Sequence, residues 1–137
     1  MSEFLQAAQR HHMWFGSYTR GGELKKVQVW CYLRGGKIEF LTDGTSLKAR
    51  RAERNPRVVC FLGAENGPRV EGTAEIIRDT AELERGYQNY WKTHPLMMVA
   101  LNFVIRRNIR EGRQIMVRIT PDEPNPLAGA TDPKLKA

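Results

Sequence analysis

The sequence predicts a mainly β (α+β) domain, in which about six short antiparallel strands form a barrel with flanking helices. Short β-branched and aromatic runs recur along the chain, separated by glycine-rich turns at residues 20–22 and 34–36. Strands at this spacing are typical of a barrel. Two stretches with helical periodicity interrupt the strands, one in the middle of the chain and one before the last strand.

The first half of the chain predicts a short helix followed by a meander of hairpins. Residues 3–12 are expected to be helical. Strands are expected over residues 13–19, 26–33 and 37–42, because these runs end at glycine-containing turns. A helix is expected over residues 45–55, since Pro56 disfavours the helical conformation of the residue before it. Residues 57–62 (RVVCFL) predict the next strand.

The second half predicts one long strand, a pair of helices and a final strand. Residues 69–78 alternate in polarity and predict a strand. Asp79 and Glu82 have capping-box spacing, and the aromatic stripe that follows predicts a helix face in the core or at an interface. Residues 96–105 predict a buried or subunit-interface helix, and residues 114–119 a last strand. The Pro-rich segment 121–137 is expected to be irregular and mobile. The stripe consists of Leu83, Tyr87, Tyr90 and Trp91.

Composition indicates a single globular domain, residues 1–137, with an anionic partner. The hydrophobic fraction is 41% and the formal net charge is +7. A positive balance of this size favours binding of phosphates, carboxylates or nucleic acid. Cys31 and Cys60 lie in apolar strands without metal-binding spacing, and no secretory signal or membrane span is recognisable. These features predict a cytoplasmic protein with no metal and no membrane partner.

The segment 38–56 predicts a phosphate-binding turn. Asp43 and Gly44 form a turn signal after a strand, and Thr45 or Ser46 can cap the following helix. A helix N-terminus offers unpaired N–H groups to an anion. Lys48 near the start of the helix is unfavourable unless an anion compensates it. Further cations follow at Arg50, Arg51 and Arg54.

A series of motifs between residues 26 and 76 resembles the pyridoxamine 5'-phosphate oxidase-like, flavin-binding split-barrel superfamily. The resemblance implies a six-stranded split β-barrel that forms a homodimer with a cofactor in each of two interface clefts. It implies that Lys48 and Thr42 contact the cofactor phosphate, with Ser46 and Leu47 beside them, and that Lys26 is a further phosphate ligand. The motifs are KVQVW at 26–30, FLT at 40–42, SLK at 46–48, NPRV at 55–58 and EGTAE at 71–75.

The same resemblance implies that the backbone of the second strand lines the isoalloxazine ring. Backbone donors at the polar edge of the ring would stabilise negative charge as hydride arrives. We therefore expect a cofactor site made of Lys26, Gln28, Val29, Trp30, Leu41, Thr42, Ser46, Leu47, Lys48 and Arg51.

Departures from the oxidases themselves argue against pyridoxine phosphate as the substrate. Cys31 stands where their second strand ends in a lysine, Gly67 lies near the position of their glutamine, and their C-terminal Trp and Arg segment is not evident. The chain looks more like a smaller branch that uses FMN or coenzyme F-420. We predict an FMN-binding oxidoreductase that transfers hydride to or from a small organic substrate, with F-420 as the alternative cofactor. A flavin-binding protein without turnover is a further alternative.

Two other classes are weighed against this prediction. Arginines at 50, 51 and 54 and at 106, 107, 110 and 113 could bind a nucleic-acid backbone, but no nucleic-acid motif accompanies them. Haem-degrading relatives of this barrel exist, and His11, His12 and His94 could ligate haem, but no pattern connects these histidines. Both classes are therefore disfavoured, and no catalytic acid or base can be named.

Overall fold

The computed structural model describes residues 2–136. Seven strands form one curled sheet, and four α-helices flank it. In chain order the elements are α1 (Glu3–Ala8), β1 (His12–Tyr18), β2 (Leu24–Trp30), β3 (Tyr32–Arg34), β4 (Lys37–Asp43), α2 (Leu47–Arg54), β5 (Arg57–Leu62), β6 (Arg69–Ile77), α3 (Thr80–Thr93), α4 (Pro95–Arg110) and β7 (Gln114–Pro121).

The sheet is antiparallel throughout, with strand order β2-β1-β5-β6-β7-β4-β3. β2 and β3 therefore lie at opposite edges, although Cys31 alone separates them in the chain. The strand predicted over residues 26–33 bends at this residue, whose N–H donates to His11 O at 3.0 Å. The first half, β2, pairs with β1 at one end of the sheet, and the second half, β3, pairs with β4 at the other end. The sheet therefore curls into a barrel. The predicted barrel is confirmed, with seven strands where six were expected.

The barrel interior and the space beneath α3 hold two apolar clusters. Phe15 and Phe40 pack edge to face inside the barrel, with ring centroids 5.0 Å apart. The second cluster lies between the outer face of the sheet and α3 and α4. It confirms the core role predicted for the aromatic stripe, because Leu83, Tyr87 and Tyr90 are buried.

The helices α2 and α4 differ from prediction in their ends and surroundings. Ser46 caps α2, accepting from Ala49 N–H at 3.3 Å. α4 extends to residue 110, beyond the predicted end at 105, and it is not buried as a whole. Its apolar residues are spread around the helix, so Leu96, Val99 and Phe103 are 87%, 69% and 64% exposed.

Residues 122–136 contain only a short 3₁₀ helix (Pro133–Leu135) and otherwise lack regular structure, as predicted. Leu127 is nevertheless fully buried in the barrel core. Gly36 N–H donates to Ala130 O at 2.8 Å, and a Cβ at Gly36, whose φ is +77°, would lie within 3.0 Å of Gly129 N. The mobility and the single-domain extent of the chain remain predictions. No helix among residues 2–136 is long and apolar enough to span a membrane.

Candidate functional site

A cleft of about 280 Å³ opens between the end of β2, the end of β4 and one face of α4. The strands reach it because β2 is an edge strand and β4 ends in the turn that leads to α2. α4 covers the opening from the other side. Six of the predicted cofactor-binding residues line this cleft: Gln28, Val29, Trp30, Leu41, Thr42 and Lys48.

The edge strand β2 offers free backbone groups to the cleft. β2 pairs only with β1, so alternate residues direct their N–H and C=O groups away from the sheet. Trp30 O accepts a hydrogen bond from Tyr90, which identifies Trp30 as one of these residues. Gln28, two positions earlier, directs its backbone the same way. The N–H groups of Gln28 and Trp30 are therefore positioned to donate to a ligand.

Tyr90 of α3 fixes the relative position of the two strands that form the cleft. Its hydroxyl donates to Trp30 O at 2.8 Å and accepts from Leu41 N–H at 2.8 Å. Burial raises the pKa of this phenol above its ordinary range. With its proton committed to a carbonyl, Tyr90 is a structural bridge and is poorly suited to act as an acid.

Lys48 and Asp43 supply charge to the polar end of the cleft. Asp43 Oδ1 accepts from Thr45 N–H at 2.8 Å and from Thr45 Oγ1 at 2.7 Å, and these bonds lower the pKa of Asp43. Burial lowers the pKa of Lys48 from 10.5, an effect that Asp43 opposes. Lys48 forms no ion pair with a carboxylate within the described chain. A half-buried ammonium in this state is suited to bind an anion.

One face of α4 forms an apolar wall opposite the strands. The positions are three and four residues apart, as expected for one side of a helix. They line the same cleft as Trp30, a residue that is 48% exposed. A flat apolar ring could lie between this wall and the β2 edge. The wall residues are Met97, Leu101, Val104 and Ile105.

The sequence analysis missed two amides at the polar end, Asn108 and Gln114. Both residues are buried, and both line the cleft. Asn108 ends the apolar face of α4, and Gln114 opens β7 directly opposite Asp43. A polar residue that continues an apolar helix stripe was the signal available for Asn108. Gln114 gave no comparable signal, because the first residue of a strand is often polar.

Four predicted site residues lie outside the cleft lining in this protomer. Lys26 Nζ lies 4.1 Å from the Phe61 ring centroid and donates to Glu65 O at 3.3 Å. Ser46 caps α2. Leu47 is 66% exposed, and Arg51 forms no ion pair with the described chain. The roles of Lys26, Ser46, Leu47 and Arg51 in cofactor binding remain predictions.

The histidines have structural surroundings. His94 lies with His11 at one end of α3, where its ring bonds Thr93 Oγ1 at 2.7 Å and His11 O at 2.6 Å. His11 Nε2 lies 2.5 Å from the buried Asp132 carboxylate. Burial lowers the pKa of His94. Residues 2–136 contain no group of three or more His, Cys, Asp or Glu side chains arranged to hold a metal ion.

Solved structures with the same fold include proteins of several functions. The conserved hypothetical protein Rv2991 of Mycobacterium tuberculosis aligns with a TM-score of 0.69 and 21% identity, over 90% of this chain and 82% of its own. A putative pyridoxamine 5'-phosphate oxidase of Listeria innocua aligns with a TM-score of 0.62 and 16% identity, over 87% and 90%. An F420 reductase aligns with a TM-score of 0.59 and 13% identity, over 89% and 95%.

These likenesses confirm the predicted pyridoxamine 5'-phosphate oxidase-like split-barrel fold. No protein-family model and no curated protein matches the sequence. The fold also occurs in HutZ, the heme storage protein of Vibrio cholerae, at 14% identity and a TM-score of 0.61 over 88% of this chain and 89% of that one. Since the fold hosts both a reductase and a storage protein, function must be argued from the cleft.

Proposed function

We propose that the protein binds FMN in this cleft and acts as an oxidoreductase on a small organic substrate. The observation that carries the proposal is the cation at one end of an otherwise largely apolar cleft. Lys48 lies at the polar end, and the apolar wall of α4 faces Trp30 at the other. FMN has the same distribution, because a planar ring and a phosphate are joined by a hydroxylated chain.

The polar end fits a phosphate by charge and by donor set. Lys48 forms no ion pair with a carboxylate of the described chain, and Thr42 adds a hydroxyl beside it. The nearby turn ends in the capped N-terminus of α2. Charge-assisted contacts of this kind contribute about 1.5–3 kcal/mol each. Lys48 and Thr42 would hold the phosphate.

The other end fits a flat ring with a polar edge. Met97, Leu101 and Val104 offer apolar contacts on one side. The N–H groups of Gln28 and Trp30 face the cleft on the other and can donate to ring nitrogens and oxygens. When bound, FMN supplies the redox chemistry of its isoalloxazine ring. The chain supplies orientation, fixed donors and exclusion of water.

A second copy of the chain would complete the site. Trp30 is about half exposed beside the open cleft, and α4 leaves Leu96, Val99 and Phe103 in water. Large exposed apolar surfaces of this kind mark interfaces. We call Leu96, Val99 and Phe103 the exposed stripe of α4. We infer that the partner copy covers this exposed stripe and the mouth of the cleft, which supports the homodimer predicted from the sequence.

The dimer is tested by Phe103→Glu, which places a charge on the exposed stripe without touching the cleft lining. Sedimentation equilibrium should give a dimer for the wild type and a monomer, or a much weaker dimer, for the variant. Lys37→Glu, at an exposed residue of β4 that belongs neither to α4 nor to the cleft lining, is the matched control and should remain dimeric. A monomeric wild type at tens of micromolar would contradict the dimer.

The proposed cofactor is tested by titrating the purified protein with FMN, riboflavin and F-420 separately. Flavin fluorescence and visible absorption report saturation. We expect saturable binding of FMN, with riboflavin at least tenfold weaker because it lacks the phosphate. Tighter binding of F-420 than of FMN would select the alternative cofactor. Absence of saturation with all three ligands would contradict cofactor binding altogether.

A further inference from the structure

We propose that Asn108 and Gln114 hold the polyhydroxyl chain between the ring and the phosphate, and that Arg113 positions Asn108 for this contact. The inference rests on the proposed function and assigns two residues that neither the sequence motifs nor the family resemblance indicate. It follows from the chemistry of the polar end, where neutral amides and a carboxylate adjoin a single cation.

The orientation of Asn108 is fixed from outside the cleft. Arg113 Nη2 donates to Asn108 Oδ1 at 3.0 Å, and Arg113 N–H donates to Asn108 O at 2.8 Å. The carbonyl oxygen of the side chain is therefore occupied, and the Nδ2 group remains as a donor. Asn108 Nδ2 has no hydrogen-bond partner within residues 2–136, and the residue lines the cleft. The amide is thus presented to a ligand with its donor free.

Arg113 does not itself line the cleft, although its charge helps to lower the pKa of Asp43, which does. Its guanidinium contacts Glu111 Oε1 at 2.7 Å as well as Asn108. An arginine that is already paired with a carboxylate contributes little further attraction to a phosphate. Arg113 therefore acts through Asn108, as a positioning residue.

Gln114 faces the same part of the cleft from β7. It is only 4% exposed, and its side-chain amide forms no hydrogen bond with the described residues. The amide atoms of Gln114 are not fully enclosed by protein, so a ligand or water in the cleft can satisfy them. Asp43, its cross-strand neighbour, keeps one carboxylate oxygen free of Thr45. Amides and a carboxylate match hydroxyl groups, which both donate and accept.

Charge favours the phosphate at Lys48 over the stretch beside Asn108 and Gln114. A dianion in that stretch would face Asp43, whose lowered pKa keeps it ionised, and the nearby Arg113 guanidinium is already paired with Glu111 and Asn108. Lys48 is the only cationic side chain that lines the cleft in the described chain. The phosphate therefore belongs at Lys48, and the stretch beside Asn108 and Gln114 is left to a neutral hydroxylated chain.

The test compares riboflavin with lumiflavin, which has the same ring but no hydroxylated chain. Affinities are measured by flavin fluorescence for the wild type, Asn108→Ala, Gln114→Met and Arg113→Met. Asn102→Ala is the matched control, because Asn102 lies on the same helix but bonds Met98 O and does not line the cleft. We expect the wild type to prefer riboflavin by at least tenfold. Each cleft variant should reduce that preference at least threefold, with lumiflavin affinity unchanged.

In the Asn108→Ala background, Arg113→Met should cause no further loss of riboflavin preference. Arg113 is proposed to act only by orienting the Asn108 amide. An unchanged riboflavin preference in both Asn108→Ala and Gln114→Met would overturn the inference while leaving flavin binding intact. An equal loss of lumiflavin and riboflavin affinity would also overturn it. If the wild type binds neither compound nor FMN, the proposed function fails instead. Gln114→Met retains the length of the side chain and keeps the test available if Asn108→Ala fails to fold.

Discussion

The helices α2 and α4 both border the cleft, and they contribute to it in opposite ways. α2 is short and basic, begins at a capped turn and buries only Ala49 and Ala52. α4 is twice as long, begins at a proline without a capping side chain and carries large apolar groups on two faces. α2 provides a charge at a fixed point, whereas α4 provides an extended surface.

This difference explains how a cleft of modest size can recognise a ligand of mixed character. The charge of Lys48 acts at one end, and solvent screening limits its reach. The α4 wall acts by area, so its contribution is distributed over several side chains. Variants of the two helices should therefore affect different parts of the same ligand.

The largest effect is expected at Tyr90, which joins the two strands that form the cleft between α2 and α4. Tyr90→Phe removes the hydroxyl that joins Trp30 O to Leu41 N–H. Leaving these buried backbone groups unpaired should lower the free energy of unfolding by about 2–4 kcal/mol. Urea denaturation measures this loss. Tyr87→Phe is the matched control, since Tyr87 is buried in the same cluster and its ring contacts the Arg106 guanidinium, not the backbone of the two strands. A smaller loss for Tyr90→Phe than for the control would contradict the bridging role.

Removal of the α2 cation should give the next largest effect. Lys48→Ala should weaken FMN binding by about 1.5–3 kcal/mol, roughly 10- to 150-fold, because a charge-assisted contact is lost. Riboflavin binding should change little. Arg50→Ala, on the exposed side of the same helix, is the control and should leave both affinities close to wild type. Equal losses for FMN and riboflavin would show that Lys48 does not act on the phosphate.

A substitution in the α4 wall should weaken the contacts with the ring and leave those with the phosphate unchanged. Val104→Ala removes two methyl groups from a partly buried position and should cost about 1 kcal/mol, roughly fivefold in affinity. The loss should be the same for FMN, riboflavin and lumiflavin. Val27→Ala is the control, because it is the same substitution at a partly buried position that does not line the cleft. A loss confined to FMN would place the phosphate against α4 and reverse the proposed orientation.

The smallest effect concerns pH. Burial lowers the pKa of free Lys48, and a bound phosphate would raise it again. The affinity ratio of FMN to riboflavin should therefore be flat from neutral pH up to the lowered pKa and fall above it, as the ammonium of the free protein loses its proton. Lys48→Ala should abolish this dependence. A ratio that rises with pH would contradict a cationic phosphate ligand.

The sequence predicted local features well because they depend on neighbouring residues. The β5 strand over 57–62 has the predicted ends, and Ser46 caps α2 as the turn chemistry indicated. Motif residues at the ends of β2 and β4 meet in one cleft because the curl of the sheet brings β2, at one edge, close to β4, the second strand from the other edge. Periodicity, turn signals and the family resemblance were sufficient to predict these features.

Features that depend on distant contacts were missed. The bend at Cys31 arises because β2 and β3 pair with different strands, and a continuous apolar run does not reveal this change. Asn108 and Gln114 acquire their role through Arg113, Asp43 and the cleft that α4 covers. The helix predicted to be buried or to form a subunit interface is not buried as a whole, and the interface remains a prediction, since hydrophobicity alone does not specify what a surface meets.

The most direct measurement of the central claim is a crystal structure of the protein with FMN. The account predicts the phosphate within hydrogen-bonding distance of Lys48 Nζ and the ring between Trp30 and the α4 wall. Density for FMN elsewhere, for example in the groove lined by Arg69 and Asp122, would contradict it. The same result would contradict the separate roles of α2, which contacts the phosphate, and α4, which contacts the ring, on which the ligand-binding predictions rest.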